Sequence, residues 1–422
     1  MKKITLGLCF LAVSVALATA ALVWHLNTRD EPDLSSRVPV LNATPELLAR
    51  GAYLARAGNC AACHTTRGGT PYAGGRGVDT PFGTVYSSNL TPEVRTGIGN
   101  WSAAEFWRAL HNGRSKDGRL LYPAFPYPSY TTVTRADSDA LYAYLHSQPA
   151  TVQPATPHAL RWPFDQQAAL AVWRALYFVP ATFQSEPAQS AEWNRGAYLV
   201  RGLGHCAACH TARNALGATN DRLDLAGGLI PVQNWYAPSL TSSQETGMHD
   251  WPLEDAVHLL QTGVAPLGTV LGPMAEVVQQ STQYLSLQDL TAMVVYLKAL
   301  PQTPVESARN VPNTPRNVER GAKLYDQHCV QCHGAQGQGV AGAYPALAGN
   351  RAVTLASTAN LVHVVRQGGF APATAGNPRP FGMPPFVLVL NDADIATVLT
   401  HIRASWGNHA APVTELEVGR LR

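Results

Sequence analysis

Three copies of one short motif carry most of the chemistry in this sequence. Six of the seven cysteines lie in the pattern Cys-x-x-Cys-His, at Cys60-Ala-Ala-Cys63-His64, Cys206-Ala-Ala-Cys209-His210 and Cys329-Val-Gln-Cys332-His333. A shuffled chain of this composition would hold roughly 0.004 such patterns, so three copies are not chance. In the attachment motif of c-type haem, both cysteines hold the porphyrin and the adjacent histidine binds the iron. The sequence therefore predicts three covalently bound haems c, with His64, His210 and His333 as proximal iron ligands.

Two other kinds of site use paired cysteines: a thioredoxin-like redox pair and half of a zinc site. Neither requires a histidine directly after the second cysteine, and neither predicts one copy of the motif in each domain. The haem interpretation is therefore favoured.

Two methionines lie where a sixth iron ligand is expected. Met274 follows His210 by 64 residues in a Gly-Pro-Met turn, and Met383 follows His333 by 50 residues in Gly-Met-Pro-Pro. Histidine and methionine together raise the reduction potential of a haem that carries electrons. The alternative for each is a methionine that fills a gap in the core. That role is expected of Met293 on a closing helix, and Met248 and Met293 are the alternative ligands.

The first repeat has no methionine between residues 45 and 150. In the stretch LYPAFPYPSY, Phe125 occupies the position that Met274 has in the second repeat. We therefore expect the first iron to be five-coordinate or weakly ligated. A histidine or lysine recruited from the loop is the alternative.

Four residues of the first repeat are candidates for that recruited ligand. His111 aligns with Gln261 and is expected to point away from the distal side of the haem. His146 aligns with Lys298 and is expected to face solvent. Lys116 and Tyr127 are also candidates, although no spacing supports them.

Each motif belongs to a longer repeated unit. The tripeptide Arg-Gly-Ala precedes every copy, and residues 89–113 match 239–263 at a constant offset of 150. Each unit ends in an amphipathic helix with an acidic residue in its first turn. The order of lead-in helix, haem motif, glycine- and proline-rich loop, middle helix, ligand loop and closing helix is that of a class I cytochrome c domain. The sequence predicts a mainly α fold with three tandem domains, at 45–150, 190–302 and 315–410.

The two connections between these domains differ in character. Residues 303–315 are polar and contain prolines, which predicts a simple tether. Residues 161–180 are rich in aromatic and aliphatic side chains. We expect this segment to pack on a neighbouring domain, with a partner subunit or the membrane surface as alternatives.

The N-terminal segment, residues 1–28, predicts an uncleaved transmembrane anchor or a signal peptide. Lys2 and Lys3 precede an uncharged run from Ile4 to Trp24, long enough to cross about 30 Å of hydrocarbon as a helix. Ala18-Thr19-Ala20 offers a cleavage site, but the apolar run exceeds the usual signal core. The anchor is favoured. The positive flank predicts haem domains on the periplasmic side of the inner membrane.

Composition and motifs also limit the function. A net charge of +3, with no basic run interleaved with aromatic residues, argues against nucleic acid as a partner. The sequence has no nucleophile elbow, phosphate-binding glycine loop or dinucleotide fingerprint, so we expect no catalysis by this chain alone. The alternatives are a peroxidase or reductase that uses an open first haem, and a module that binds small gases.

Along almost its whole length the chain resembles the three-haem cytochrome c subunit of bacterial membrane-bound dehydrogenases. The matching segments are NRGAYLVRGLGHCAACHTARNALG, WYAPSLT, LGPMAEV, GMPPF and ASWGN. The resemblance implies a catalytic dehydrogenase partner with a molybdenum, flavin or quinone cofactor. It also implies electron delivery to ubiquinone or a terminal oxidase. Many members have methionine where this chain has Phe125, and in that respect the chain is similar to the molybdenum-hydroxylase branch.

Overall fold

The computed structural model describes residues 2–32, 34, 42–220, 224–266, 268–303 and 315–421. The chain divides into two compact units. One comprises Met1–Ala55 with Cys63–Gln184, and the other comprises Arg56–Ala62 with Ser185–Arg422. The predicted tether at 303–315 lies almost entirely outside the described residues.

The first unit contains the N-terminal helix and the first repeat except for Arg56–Ala62, which belong to the second unit. The helices of this part of the chain are α1 (Lys2–Thr28), α2 (Pro45–Ala57), α3 (Cys60–Cys63), α4 (Ala103–Asn112), α5 (Tyr127–Tyr130), α6 (Arg135–His146) and α7 (Gln167–Tyr177). Its strands β1 (Gly77–Thr80), β2 (Gly83–Tyr86) and β3 (Ala159–Leu160) form one antiparallel sheet in the order β1-β2-β3.

The second unit contains the other two repeats. Its helices are α8 (Ala191–Tyr198), α9 (Ala207–His210), α10 (Leu253–Thr262), α11 (Gly272–Gln280), α12 (Leu287–Lys298), α13 (Pro315–His328), α14 (Val330–His333), α15 (Arg351–Thr354), α16 (Ala359–Gln367), α17 (Asp392–Ala404) and α18 (Glu415–Arg420). Three two-stranded antiparallel ribbons pair β4 (Gly228–Leu229) with β5 (Tyr236–Ala237), β6 (Val264–Ala265) with β7 (Gly268–Thr269), and β8 (Gly369–Phe370) with β9 (Gly382–Met383).

The mainly α prediction is confirmed. The glycine of each Arg-Gly-Ala tripeptide lies where the lead-in helix crosses the closing helix. A β-carbon on Gly51 would stand 2.0 Å from the carbonyl oxygen of Ala140, and one on Gly196 would stand 1.9 Å from that of Ala292. One on Gly321 would lie 2.6 Å from Cβ of His401. Only glycine permits this approach of two backbones. The repeated glycine therefore sets the helix crossing in all three repeats.

The arginine of each tripeptide forms an ion pair with the acidic residue in the first turn of the closing helix. The pairs are Arg50 with Asp137, Arg195 with Asp289 at 2.7 Å, and Arg320 with Asp394. The backbone N–H of each aspartate donates to the side chain that caps the helix: Thr134, Ser286 or Asn391. Each aspartate thus joins the start of the closing helix to the lead-in helix.

The aromatic segment 161–180 packs on the first repeat, as expected. The ring of Phe164 lies 4.3 Å from that of Phe82, and the ring of Phe178 lies edge-on to Tyr127 at 4.8 Å. Strand β3 also pairs with β2, with Gly83 opposite Leu160. One face of the segment is therefore part of the first unit.

Within the second unit, the second and third repeats share a polar and aromatic contact. The Asn360 side chain accepts from the Tyr236 backbone N–H and donates to its carbonyl, both at 2.8 Å. The ring of His363 stacks on Trp235 with centroids 5.1 Å apart. His363 lies on α16, whose Val362 is fully buried in the core of the third repeat. The contact thus links the loops of the second repeat to that core.

Candidate functional site: three haem attachment centres

Each Cys-x-x-Cys-His motif forms one short helical turn after the lead-in helix. The turns are α3, α9 and α14, and none of the six motif cysteines, all of which the structure describes, is in a disulfide. In a helix, residues three apart lie on the same face, so each turn presents its two thiols to one side. This is the arrangement that two thioether bonds to one porphyrin require.

The histidine of every motif is held by a backbone carbonyl through Nδ1. The Nδ1 atoms of His64, His210 and His333 lie 2.7, 2.7 and 3.0 Å from the carbonyl oxygens of Ser88, Pro238 and Pro345. A carbonyl oxygen only accepts hydrogen bonds, so Nδ1 carries the proton and donates. The lone pair therefore lies on Nε2, where it is available to a metal.

The surroundings of these three histidines favour the neutral imidazole. Burial lowers the pKa of His64, His210 and His333, and the hydrogen bond to the carbonyl opposes that shift only in part. Neutral imidazole with a fixed tautomer is the form that binds iron.

The thiols of the second and third motifs do not have the character of a redox pair. Burial, with Cys209 nearby, raises the pKa of Cys206 to about 12, and burial with Cys332 nearby raises that of Cys329 to about 11. Redox-active cysteines have lowered pKa values. Among the described residues, no three His, Cys, Asp or Glu side chains come together as a metal site, so a half zinc site would lack its other half. Both alternatives from the sequence are disfavoured.

The residues present therefore fit a covalently bound haem in each repeat. Two thiols and one oriented imidazole supply the attachment and the proximal ligand. In addition, Nε1 of Trp251, a residue only 2% exposed, has no acceptor among the residues that the structure describes. A haem propionate is an acceptor of the kind this buried donor lacks. Bound haem c supplies iron that alternates between the ferrous and ferric states.

The two methionines proposed as sixth ligands lie at the start of a helix and on a two-residue strand. Met274 is in the first turn of α11, which begins with Gly272 and Pro273, and is partly buried. Met383 is on β9, opposite Gly369 of β8, and is also partly buried. Met248 and Met293 are each 4% exposed within the protein core. Met293 therefore has the core position that the sequence predicted, and Met248 lies in the core as well.

Phe125 lies just before α5 and is partly buried. Its ring is 5.3 Å from that of Tyr130 and 6.5 Å from that of Tyr127. The loop of the first repeat thus presents an aromatic cluster where the second repeat has a thioether.

Three of the candidate replacement ligands have other partners. Lys116 bonds the Asn100 carbonyl and lies 3.5 Å from Glu105. Tyr127 is fully buried beneath the guanidinium of Arg174, and burial raises its pKa to about 12. His111 donates from Nδ1 to the Thr131 carbonyl at 2.7 Å and stacks on Trp107.

The prediction that His146 faces solvent was wrong. Its ring packs on Tyr142 with centroids 4.1 Å apart, and it lies beside the backbone of Ile98. Lys298, the aligned residue, donates to the carbonyl of Met248, which aligns with Ile98. Both side chains therefore lie against the loop before the middle helix, and helical spacing alone did not reveal this shared position.

Sequence reasoning also missed the three carbonyl groups that orient the proximal histidines. A signal was available, because Ser88 and Pro238 are themselves 150 residues apart and immediately precede the aligned segments. The same offset of 150 residues that identified the repeat therefore also relates the two carbonyl groups that bind Nδ1 of His64 and His210.

Known proteins match the chain over most of its length. A profile of the cytochrome c family matches residues 48–149 and 318–406. The cytochrome c subunit of alcohol dehydrogenase (quinone) from Gluconacetobacter polyoxogenes is 39% identical over 90% of this chain and 85% of its own. The gluconate 2-dehydrogenase cytochrome c subunit of Pantoea cypripedii is 38% identical over 90% of each chain. A nicotinate dehydrogenase polypeptide of Pseudomonas putida is 41% identical over 85% of this chain but only 30% of its own. The chain belongs to the family of cytochrome c electron-transfer subunits of bacterial dehydrogenases.

Proposed function

We propose that the chain carries three haems c and transfers electrons from a catalytic dehydrogenase subunit to ubiquinone at the inner membrane. Cys60, Cys63, Cys206, Cys209, Cys329 and Cys332 attach the three groups, and His64, His210 and His333 are the proximal ligands. Met274 and Met383 are the sixth ligands of the second and third. The domains are those expected from the sequence: 45–150, 190–302 and 315–410.

One observation supports the proposed number of three haems. The same arrangement recurs in every repeat: a motif histidine bonded through Nδ1 to a carbonyl, below a helix crossing set by glycine and an Arg–Asp pair. The family profile covers the first and third repeats. The second has the same histidine contact as its neighbours, which supports a haem there too.

The proposed location is the periplasmic side of the inner membrane. Helix α1 is long and apolar enough to cross a bilayer, by length and composition, and its most apolar 18-residue window contains no buried residue. Lys2 and Lys3 at its start favour a cytoplasmic N-terminus. The haem domains then lie on the opposite side, where c-type haem is attached.

The first repeat supports a role in electron transfer better than a role in catalysis. A peroxidase needs an acid or base beside an open iron. His111, Lys116 and Tyr127 are held by other groups, and Phe125 is apolar. The relatives named above belong to alcohol, gluconate and nicotinate dehydrogenases, and we propose a catalytic partner of this kind.

The test uses the complex purified from its membrane with the co-purifying large subunit. Cofactor and metal analysis of that subunit identifies the partner as a molybdenum, flavin or quinone enzyme. Adding its substrate anaerobically should reduce the haem bands over successive turnovers, and adding a ubiquinone analogue should then reoxidise them. Haem bands that stay oxidised while the large subunit turns over with an artificial acceptor would refute the proposal.

A further inference from the structure

Helix α7 buries its charged side chain and exposes aliphatic ones, which is the reverse of an amphipathic helix on a water-exposed surface. Arg174 is the one charged residue from 167 to 180, and it is only 2% exposed. On the other side, Val172 is 48% exposed and Leu176 and Val179 are each 64% exposed. A helix beside water normally has the opposite arrangement.

The contacts of Arg174 fix which side faces outward. Its Nε donates to Oδ1 of Asn27 at 2.9 Å, and its Nη2 donates to the carbonyl of Asn112 at 2.7 Å. The guanidinium also lies over the rings of Tyr127 and Phe178, 5.0 and 4.8 Å from their centroids. Because these contacts hold the charged face inward, the aliphatic face cannot turn inward without leaving the cation unpaired.

The same cluster places α7 at the end of α1. The Asn27 side chain donates to the carbonyl of Ala171, in the middle of α7, at 2.9 Å. Asn27 is three residues beyond Trp24, the end of the uncharged run, and is therefore about 4.5 Å further along the helix axis. Helix α7 thus lies at the level where α1 would leave the hydrocarbon.

Two exposed tryptophans adjoin the contacting parts of these helices in the sequence. Trp24 is 71% exposed on α1, and Trp162, shortly before α7, is 80% exposed. Tryptophan is enriched where a membrane protein meets the headgroup region.

We propose that α7 lies on the bilayer surface, with Val172, Leu176 and Val179 in the boundary between headgroups and acyl chains. It is a second membrane contact beside α1, and the Asn27–Arg174 cluster fixes the angle between them. The proposal rests on the proposed anchoring by α1. An apolar face continuous with a membrane-spanning helix suits phospholipid as its occupant.

The experiment places the intact complex in phosphatidylcholine vesicles that contain a phospholipid with a photoactivatable diazirine on its acyl chain. After illumination, mass spectrometry maps the lipid adducts. We expect adducts on α1 and on residues 172–179, in excess of those at Val152, an aliphatic side chain with a comparable exposure of 60%. Adducts on α1 alone, as when the catalytic subunit covers α7, would overturn the inference. Labelling of Val152 equal to that of α7 would also overturn it.

A variant provides the second readout. Leu176→Glu should reduce the α7 adducts severalfold while α1 adducts and haem content stay unchanged, and Val152→Glu should change neither. Unchanged α7 labelling in Leu176→Glu contradicts the proposal. An absence of adducts on α1 would instead show that the anchoring itself is wrong, so the two failures are distinguishable.

Discussion

The indole of Trp235 packs directly on Gly272, and a β-carbon on residue 272 would stand 2.6 Å from Cε2 of that ring. Gly272 has φ of +55° and begins the turn that presents Met274. Trp235 also stacks on His363 of the third repeat, with ring centroids 5.1 Å apart. The loop that carries Met274, the proposed sixth ligand, is therefore held by an aromatic stack to which the third repeat contributes.

Gly272→Ala should displace this loop, because the new methyl group clashes with Trp235 and the left-handed backbone disfavours alanine. We expect the potential of the second haem to fall and its His/Met charge-transfer band to weaken. Spectroelectrochemical titration measures both. Gly268→Ala is the matched control, since its β-carbon meets only Cη2 of Trp251 at 3.9 Å. An unchanged second potential in Gly272→Ala would show that the stack does not position Met274.

Met274→Ala and Met383→Ala should each lower one midpoint potential and leave the other two in place. The loss of the thioether removes the ligand that favours ferrous iron. Met293→Leu, a change within the core, is the control and should leave all three potentials unchanged. A methionine variant with three wild-type potentials would remove that residue from the ligand set.

Phe125→Met should raise the lowest of the three potentials and add a third His/Met band. The native first iron has no thioether available between residues 45 and 150. It should therefore bind carbon monoxide when reduced or cyanide when oxidised, and Phe125→Met should slow that binding. Phe125→Leu controls for the loss of the ring. Three low-spin His/Met signals in the native protein, without binding of added ligands, would contradict this assignment.

Gly196→Ala should force α8 and α12 of the second repeat apart, since its β-carbon would lie 1.9 Å from the carbonyl oxygen of Ala292. Overpacking of this kind costs about 3 kcal/mol or more. Asp289→Asn should cost less, about 1–2 kcal/mol, because Arg195 is 34% exposed and water screens part of the pair.

Hydrogen exchange of the α8 and α12 amides measures both losses locally. Lys323→Gln is the control for Asp289→Asn, because the pair of Lys323 with Glu319 is highly exposed and contributes little. Exchange in Asp289→Asn equal to that of the control would mean that the repeated ion pair does not hold the helices together.

The sequence predicts the repeated plan well because its determinants are local. Cys-x-x-Cys-His, Arg-Gly-Ala and the helix caps each act within a few residues, and helices follow from periodic apolar positions. The expected direction of the His146 side chain was wrong because the backbone it lies against, at Ile98, is far away in the sequence. The reversed polarity of α7 could not be predicted from the sequence either. Only the fold shows that Arg174 bonds Asn27, so that the charged side of the helix is buried and its aliphatic side is exposed.

The most direct test of the account is the intact mass of the purified native chain, recorded together with its haem absorbance. We predict a mass increase equivalent to three covalent haems, and a decrease by one in a Cys206→Ser, Cys209→Ser variant. Three haems confirm that every motif is used, including that of the second repeat. A native mass with two haems, or a double variant that keeps the native number, would contradict the three-centre relay.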